Sequence, residues 1–137
     1  LDGGEDVEFF LVDLPGYGYA RVPLAMRRGW RPLIEGYLTG TPDLIGVVQL
    51  IDSRHEPTAD DRAMVRFLAA RGVPTLFVLT KVDKLSRSRR PAHLRRIVEE
   101  LGVEPEQVVA FSAKTGEGCD QLLESLGDLL RAAREAA

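Results

Sequence analysis

The sequence predicts an α/β fold: a doubly wound, mostly parallel sheet with helices on both faces. Two observations carry that prediction. Short, nearly continuous apolar runs ("VEFFLVD", "LIGVVQLID", "TLFVLT", "QVVAFS") alternate with helix-length amphipathic segments. Strands buried on both faces read as unbroken apolar runs, and their alternation with helices marks the crossover connections of a parallel sheet. In addition, the runs end on polar residues, Asp13, Asp52, Thr80 and Ser112. Ligands of such sheets sit beyond the carboxyl ends of the strands, so these four side chains are expected to converge on one edge.

Each element has a local reason. Residues 7–13 are expected to form a buried strand that runs directly into Pro15, Gly16 and Gly18. Residues 24–40 read as a helix ending at glycine, and 44–52 as a second strand rich in β-branched residues. Thr58 is placed as the N-cap of a helix over 59–72, with Asp60 and Asp61 in the first turn, where the helix dipole favours anions. A third strand covers 75–80. A helix with proline near its start covers 90–102, a fourth strand 107–112, and a closing helix 118–135.

The 137 residues suit one domain, and a chain that is 45% hydrophobic and 28% charged can bury an ordinary core. No apolar run approaches the roughly 18 residues of a membrane span, and no basic-plus-apolar leader opens the chain, so no membrane association is expected. Cys119 is the single cysteine, which excludes an intramolecular disulfide and suits a reducing cytosol. With His55 and His93 it gives no zinc-ligand spacing. A net charge of −3 does not favour nucleic acid, but the distribution does. Lys84, Arg87, Arg89, Arg90, Arg95 and Arg96 follow one another with no acid among them, as a solvated face or an RNA-contact patch would. A smaller basic group, Arg27, Arg28 and Arg31, surrounds Trp30, which reads as a helix-face residue or a stacking platform for a base.

Three short motifs follow predicted strands. In D-L-P-G (Asp13 to Gly16), a carboxylate can hold a magnesium ion, directly or through water, and a glycine N–H can approach a phosphate oxygen. In T-K-V-D (Thr80 to Asp83), Lys81 can lay its aliphatic stem along a purine while Asp83 accepts two N–H donors from one base edge. In S-A-K-T-G (Ser112 to Gly116), backbone N–H groups can meet a base carbonyl. Each motif alone also reads as an ordinary turn between strand and helix.

In this order and spacing the three motifs resemble those of the TRAFAC-type GTPases. "DLPGYGYARVP", "MRRGWRPLIEGYL", "LIDSRHEPTADDRAMVRFL" and "LTKVDKLSRSRR" narrow the resemblance to the EngB ribosome-assembly GTPases. It implies a Ras-like G domain of the P-loop NTPase fold, GTP or GDP bound with Mg2+, and a bacterial cytoplasmic protein acting on the large ribosomal subunit or its rRNA, with a further link to cell division. By the same resemblance Thr80, Lys81, Asp83, Ser112, Ala113 and Lys114 bind guanine, Asp13 and Gly16 belong to the phosphate and second-switch region, and Asp13 holds Mg2+ through water.

Nothing in the chain matches G-x-x-x-x-G-K-[ST], the loop that wraps nucleotide phosphates. The chain is therefore expected to be the C-terminal part of an EngB-type G domain, lacking the first strand, the phosphate loop and the first switch. The parent would hydrolyse GTP slowly, whereas this chain alone would be inactive. Tyr17 stands where other GTPases often have a water-positioning glutamine, and no catalytic residue is identified. With the family's central strand absent, segments 8–12 and 44–51 are expected to pair with each other or with another copy. Two other readings remain: a non-catalytic RNA or protein interaction module, and a phospho-acceptor receiver domain with Asp52 as acceptor and Thr80 and Lys81 nearby.

Overall fold

The computed structural model of the protein describes residues 6–14 and 24–136, with side chains in the first helix from residue 32 onward. The described elements are α1 (Leu24–Thr39), β1 (Val47–Asp52), α2 (Ala59–Ala70), β2 (Thr75–Thr80), α3 (Arg90–Leu101), β3 (Val108–Ala110) and α4 (Cys119–Ala136). Two compact units are present: one holds residues 45–137, the other residues 4–44, which contain α1.

In the larger unit the strands form a three-stranded parallel sheet in the order β1-β2-β3. β2 is central, and Leu76, Phe77, Val78 and Leu79 are buried on alternating faces. On one face Phe77, Leu79 and Ile51 pack with Val65 of α2 and Ile97 and Leu101 of α3. On the other, Leu76, Val78 and Val109 pack with Leu122 and Leu126 of α4. Helices thus cover both faces, as the apolar runs require. Thr58 caps α2 as anticipated: its hydroxyl accepts from the Asp61 N–H at 3.0 Å, and the Asp61 carboxylate accepts from the Thr58 N–H at 2.9 Å. α3 carries Pro91 in its first turn and stops at Gly102, whose φ of +67° ends the helix in the left-handed region.

One expected element is corrected. Residues 6–14, including the expected strand over 7–13, have no regular secondary structure, and Phe10 and Leu11 are 97% and 81% exposed. Among the described residues β1 bonds only to β2. An apolar run specifies what a strand would bury, but its N–H and C=O groups need a neighbouring strand to bond to. Two strands are shorter than their apolar runs, β1 starting at Val47 rather than residue 44 and β3 spanning Val108–Ala110 rather than 107–112.

In the smaller unit α1 runs through Pro32, whose ring removes one backbone donor in mid-helix. Its last turn is closed by hydroxyls, Thr39 donating to the Glu35 carbonyl at 2.8 Å and Thr41 to that of Tyr37 at 2.7 Å.

Gly118 is the tightest backbone position of the larger unit. Its φ is +80°, and a Cβ there would collide with the Ala110 carbonyl oxygen at the end of β3. Gly72 has a similar φ of +65° but open space around it. Gly72→Ala is expected to cost only the left-handed penalty, about 1–2 kcal/mol, whereas Gly118→Ala adds displacement of a strand end and costs more, about 2–4 kcal/mol. Urea unfolding of both variants against the wild type checks the order.

Candidate functional site

Parallel pairing brings the carboxyl ends of all three strands to one edge. Asp52 and Thr80 are opposite each other in the register of β1 and β2. The ladder continues past them, the Ser53 N–H donating to the Thr80 carbonyl at 3.0 Å. Beyond β3, the Phe111 N–H donates to the Leu79 carbonyl at 2.9 Å, and the Val82 N–H to the Phe111 carbonyl at 3.3 Å. The turn after β2 is thereby stitched to both flanking strands.

Within that turn Lys81 adopts φ +62°, the one positive φ among the described non-glycine residues, and leads into a single 3-10 turn over Val82–Lys84. A lysine in the left-handed region is uncommon and persists where surrounding contacts hold it. Lys81 and Asp83 are held in different ways. Lys81 Nζ lies 3.3 Å from the Asp52 carboxylate on the β1 side. On the β3 side, the carboxylate of Asp83 accepts the Ser112 hydroxyl proton at 2.8 Å.

Ser112 is fully buried and its hydroxyl is used twice, since it also accepts from the Thr115 N–H at 3.1 Å. The S-A-K-T-G turn closes on itself through the Ser112 N–H to Glu117 carbonyl bond at 3.0 Å and the Gly116 N–H to Ser112 carbonyl bond at 2.9 Å. Ala113 and Lys114 are exposed on this turn. Glu117 receives the Arg90 guanidinium at 3.0 Å, which ties the turn to the start of α3. Thr80 turns inward, its hydroxyl donating to the Ile51 carbonyl at 3.4 Å.

Both carboxylates of the edge are held below the usual carboxylate range. For Asp52 the leading cause is the Arg54 guanidinium, and the Arg54 N–H and Lys81 ammonium add to it. For Asp83 it is the Ser112 hydroxyl, helped by its own N–H and by the charges of Lys84 and Lys114. A folded-state value below the unfolded one means that the associated stabilisation is complete above the ordinary carboxylate value. It is lost as the pH falls below that value.

Of the other expected site residues, Asp13 is exposed, lies in the smaller unit and ends no strand. Gly16 and Tyr17 lie outside the described residues, as do the side chains of Arg27, Arg28, Trp30 and Arg31. His55 is exposed, and Tyr37 is 37% exposed. Lys84, Arg87, Arg89, Arg95 and Arg96 are exposed, whereas Arg90 is half-buried and engaged with Glu117. No group of three His, Cys, Asp or Glu residues able to hold a metal occurs among the described residues. No helix among them is long and apolar enough to cross a membrane. The roles of Arg54 and Glu117 escaped the motif reading because a sequence shows charges without distances. His93 was also missed; its Nε2, carrying the proton, donates to the Ser53 carbonyl at 2.6 Å and so ties α3 to the loop after β1.

A parallel sheet with helices on both faces, and two turns coupled beyond its carboxyl edge, define a doubly wound α/β domain. The sequence pattern of the family described as "Elongation factor Tu GTP binding domain" matches residues 34–132. "Probable GTP-binding protein EngB" of Gemmatimonas aurantiaca is 52% identical over 123 residues, which are 90% of this chain and 60% of that protein. The protein of the same description from Halothermothrix orenii is 48% identical over 127 residues, 91% of this chain and 64% of its own. A crystal structure of a probable GTP-binding protein engB has the same fold, with a TM-score of 0.76 over 88% of this chain and 77% of that one, at 18% identity. The chain belongs to the EngB family of GTP-binding proteins, within this class of P-loop NTPase folds, and spans about 60% of the length of those curated relatives. The phospho-acceptor reading of Asp52 has no support in that family.

Ser112→Ala removes the donor to Asp83 and the acceptor of the Thr115 N–H. The latter loss is expected to lower stability by about 0.5–1.5 kcal/mol, and the Asp83 titration should move up towards the ordinary carboxylate value. Urea unfolding and NMR titration of the Asp83 carboxyl carbon check the two effects separately.

Proposed function

We propose that this chain carries the guanine-reading half of a GTP-binding domain. The observation that carries the reading is the Asp83 carboxylate, fixed at 2.8 Å by the buried Ser112 hydroxyl beyond the ends of two parallel strands. Guanine offers N1–H and its exocyclic amine along one edge, two donors that match one ionised carboxylate. Adenine places an acceptor at N1, facing the negative oxygens. Lys81 supplies an aliphatic stem beside the base, and Ala113 and Lys114 offer backbone N–H groups to the guanine carbonyl. Thr80 acts through the backbone of β1 and leaves base contact to its neighbours.

The whole protein would add a phosphate-binding loop and hydrolyse GTP. Mg2+ would be held by phosphate oxygens, water and Asp13, and Gly16 would approach the phosphate. Asp13 is an exposed single carboxylate, and Mg2+ is ordinarily bound by one or two carboxylates with substrate phosphates and retained waters, so its donor chemistry fits. Once bound, the ion neutralises phosphate charge; the residues described above hold the base.

The biological partner in this reading is the large ribosomal subunit or its rRNA, met in the bacterial cytoplasm, with an influence on cell division. Support comes from the exposed basic run on the turn before α3 and on that helix. Arg90 is set apart from the run by its bond to Glu117, which makes it a support of the S-A-K-T-G turn.

Asp83→Asn exchanges one acceptor for a donor and suits the 2-carbonyl of xanthine. NMR titrations of residues 1–137 with millimolar GDP and XDP should show the preference between them reversing by at least about tenfold. An unchanged preference for GDP would exclude Asp83 as the reader of the base. Neutralising Arg87, Arg89, Arg95 and Arg96 together should flatten the salt dependence of rRNA binding by about 0.7–0.9 in log–log slope for each phosphate that is no longer neutralised. Arg90→Gln should instead disturb the Ser112–Gly116 turn and leave that slope unchanged. Filter binding across a salt series separates the two.

A further inference from the structure

The ion cluster formed by Asp52, Arg54 and Lys81 joins one residue of T-K-V-D to two residues outside the base-site motifs. Arg54 donates to Asp52 three times from its guanidinium: Nε to Oδ1 at 3.0 Å and to Oδ2 at 3.2 Å, and Nη2 to Oδ2 at 2.7 Å. Its backbone N–H donates to Oδ1 at 3.0 Å. Asp52 is therefore immobilised at the end of β1 before it meets Lys81. Its oxygen then receives the Lys81 ammonium at 3.3 Å. The other end of the lysine is fixed by the left-handed backbone at Lys81 and by the two stitches that hold the turn.

We propose that Asp52 and Arg54 are positioning residues for the base: Asp52, locked by Arg54, anchors the Lys81 ammonium so that the four-carbon stem stands as a preformed wall of the guanine site. The inference rests on the reading of this edge as a base site. It follows from the chemistry of lysine, whose free side chain carries substantial rotamer entropy. A stem held at both ends has lost that freedom before ligand arrives, and preorganisation of this kind raises affinity by removing a cost of binding. An isolated exposed ion pair would be too weak for the task. The exceptions are bidentate arginine–carboxylate geometry and networks of several charges, and this cluster has both.

The cluster also carries a sign that separates positioning from plain electrostatics. Asp52 is negative and the ligand is an anion. Simple charge removal by Asp52→Asn should therefore strengthen the binding of any phosphate compound. Positioning predicts the opposite for ligands with a base and leaves baseless ones to electrostatics.

The test is NMR titration of residues 1–137 with GDP and, separately, with inorganic pyrophosphate, for the wild type, Asp52→Asn and Arg54→Gln. Amide spectra show that each variant keeps the fold, and relaxation of the Lys81 ε-methylene reports the anchor without any ligand. The expected result is a Lys81 methylene that becomes mobile in Asp52→Asn, with GDP binding weakened about three- to tenfold and pyrophosphate binding unchanged or tighter. Arg54→Gln should shift both readouts in the same direction by less. Equal GDP affinity in wild type and Asp52→Asn overturns the proposal, as does a methylene equally rigid in both. A parallel loss of GDP and pyrophosphate binding also overturns it, by assigning Asp52 a purely structural role. If GDP perturbs neither Asp83 nor Lys81 in the wild type, the base site itself is refuted and this inference falls with it.

Discussion

Burial of β2 on both faces is the constraint from which the rest of this fold follows. Leu76, Phe77, Val78 and Leu79 are 7, 3, 1 and 1% exposed, so consecutive residues need apolar cover on opposite sides. Helices α2 and α3 supply it on one side and α4 on the other. Because both neighbours run parallel to β2, all three chains leave the sheet in the same direction. Two turns from different parts of the sequence must then meet above the same edge. The Asp83–Ser112 bond is a consequence of that geometry, and so is the Asp52–Lys81 pair.

The same strand shows why some elements were legible and others were not. "TLFVLT" predicts β2 to the residue, since a fully buried central strand writes its whole length in apolar side chains. β1 and β3 are shorter than their apolar runs. Gln107 belongs to the turn before β3, where its side-chain amide donates to the Thr75 carbonyl at 3.3 Å. Residues 7–13 carry the same kind of signal as β2 and form no strand. Side-chain pattern expresses a demand for burial, whereas strand formation is decided by whether a neighbouring backbone is present. That second condition is not encoded locally.

The candidate site divides along the same line. T-K-V-D and S-A-K-T-G could be read because their chemistry lies within a few residues of sequence and each follows a recognisable strand. The bonds that hold them in place link residues 27 to 29 positions apart: Arg90 to Glu117, Lys81 to Asp52 and Ser112 to Asp83. Arg90 illustrates the consequence. In sequence it is one cation of a basic run; in three dimensions it supports the S-A-K-T-G turn through Glu117, while its neighbours face solvent.

Charge at this edge runs against the character of the whole chain. The protein carries a net charge of −3, and two carboxylates, Asp52 and Asp83, sit at the edge to which the proposed function brings an anionic ligand. Left unpaired they would repel it. Arg54 and Lys81 neutralise Asp52, and Lys84 and Lys114 act on Asp83. Two anions against four cations leave the edge locally positive by two formal charges. The depressed titration of Asp52 records that compensation, because a cation that favours the ionised form also cancels its field at a distance, whereas that of Asp83 is led by the neutral Ser112 hydroxyl, with Lys84 and Lys114 adding to it. Asp83 can therefore present a full negative charge to the donors of a base without an equal penalty at the phosphates. These groups are exposed or half-exposed, so added salt screens the attraction between them and a nucleotide. The hydrogen bond from Ser112, donated by a fully buried hydroxyl, lies beneath that screening. Specificity for the base should thus outlast, as ionic strength rises, the general attraction for its phosphates.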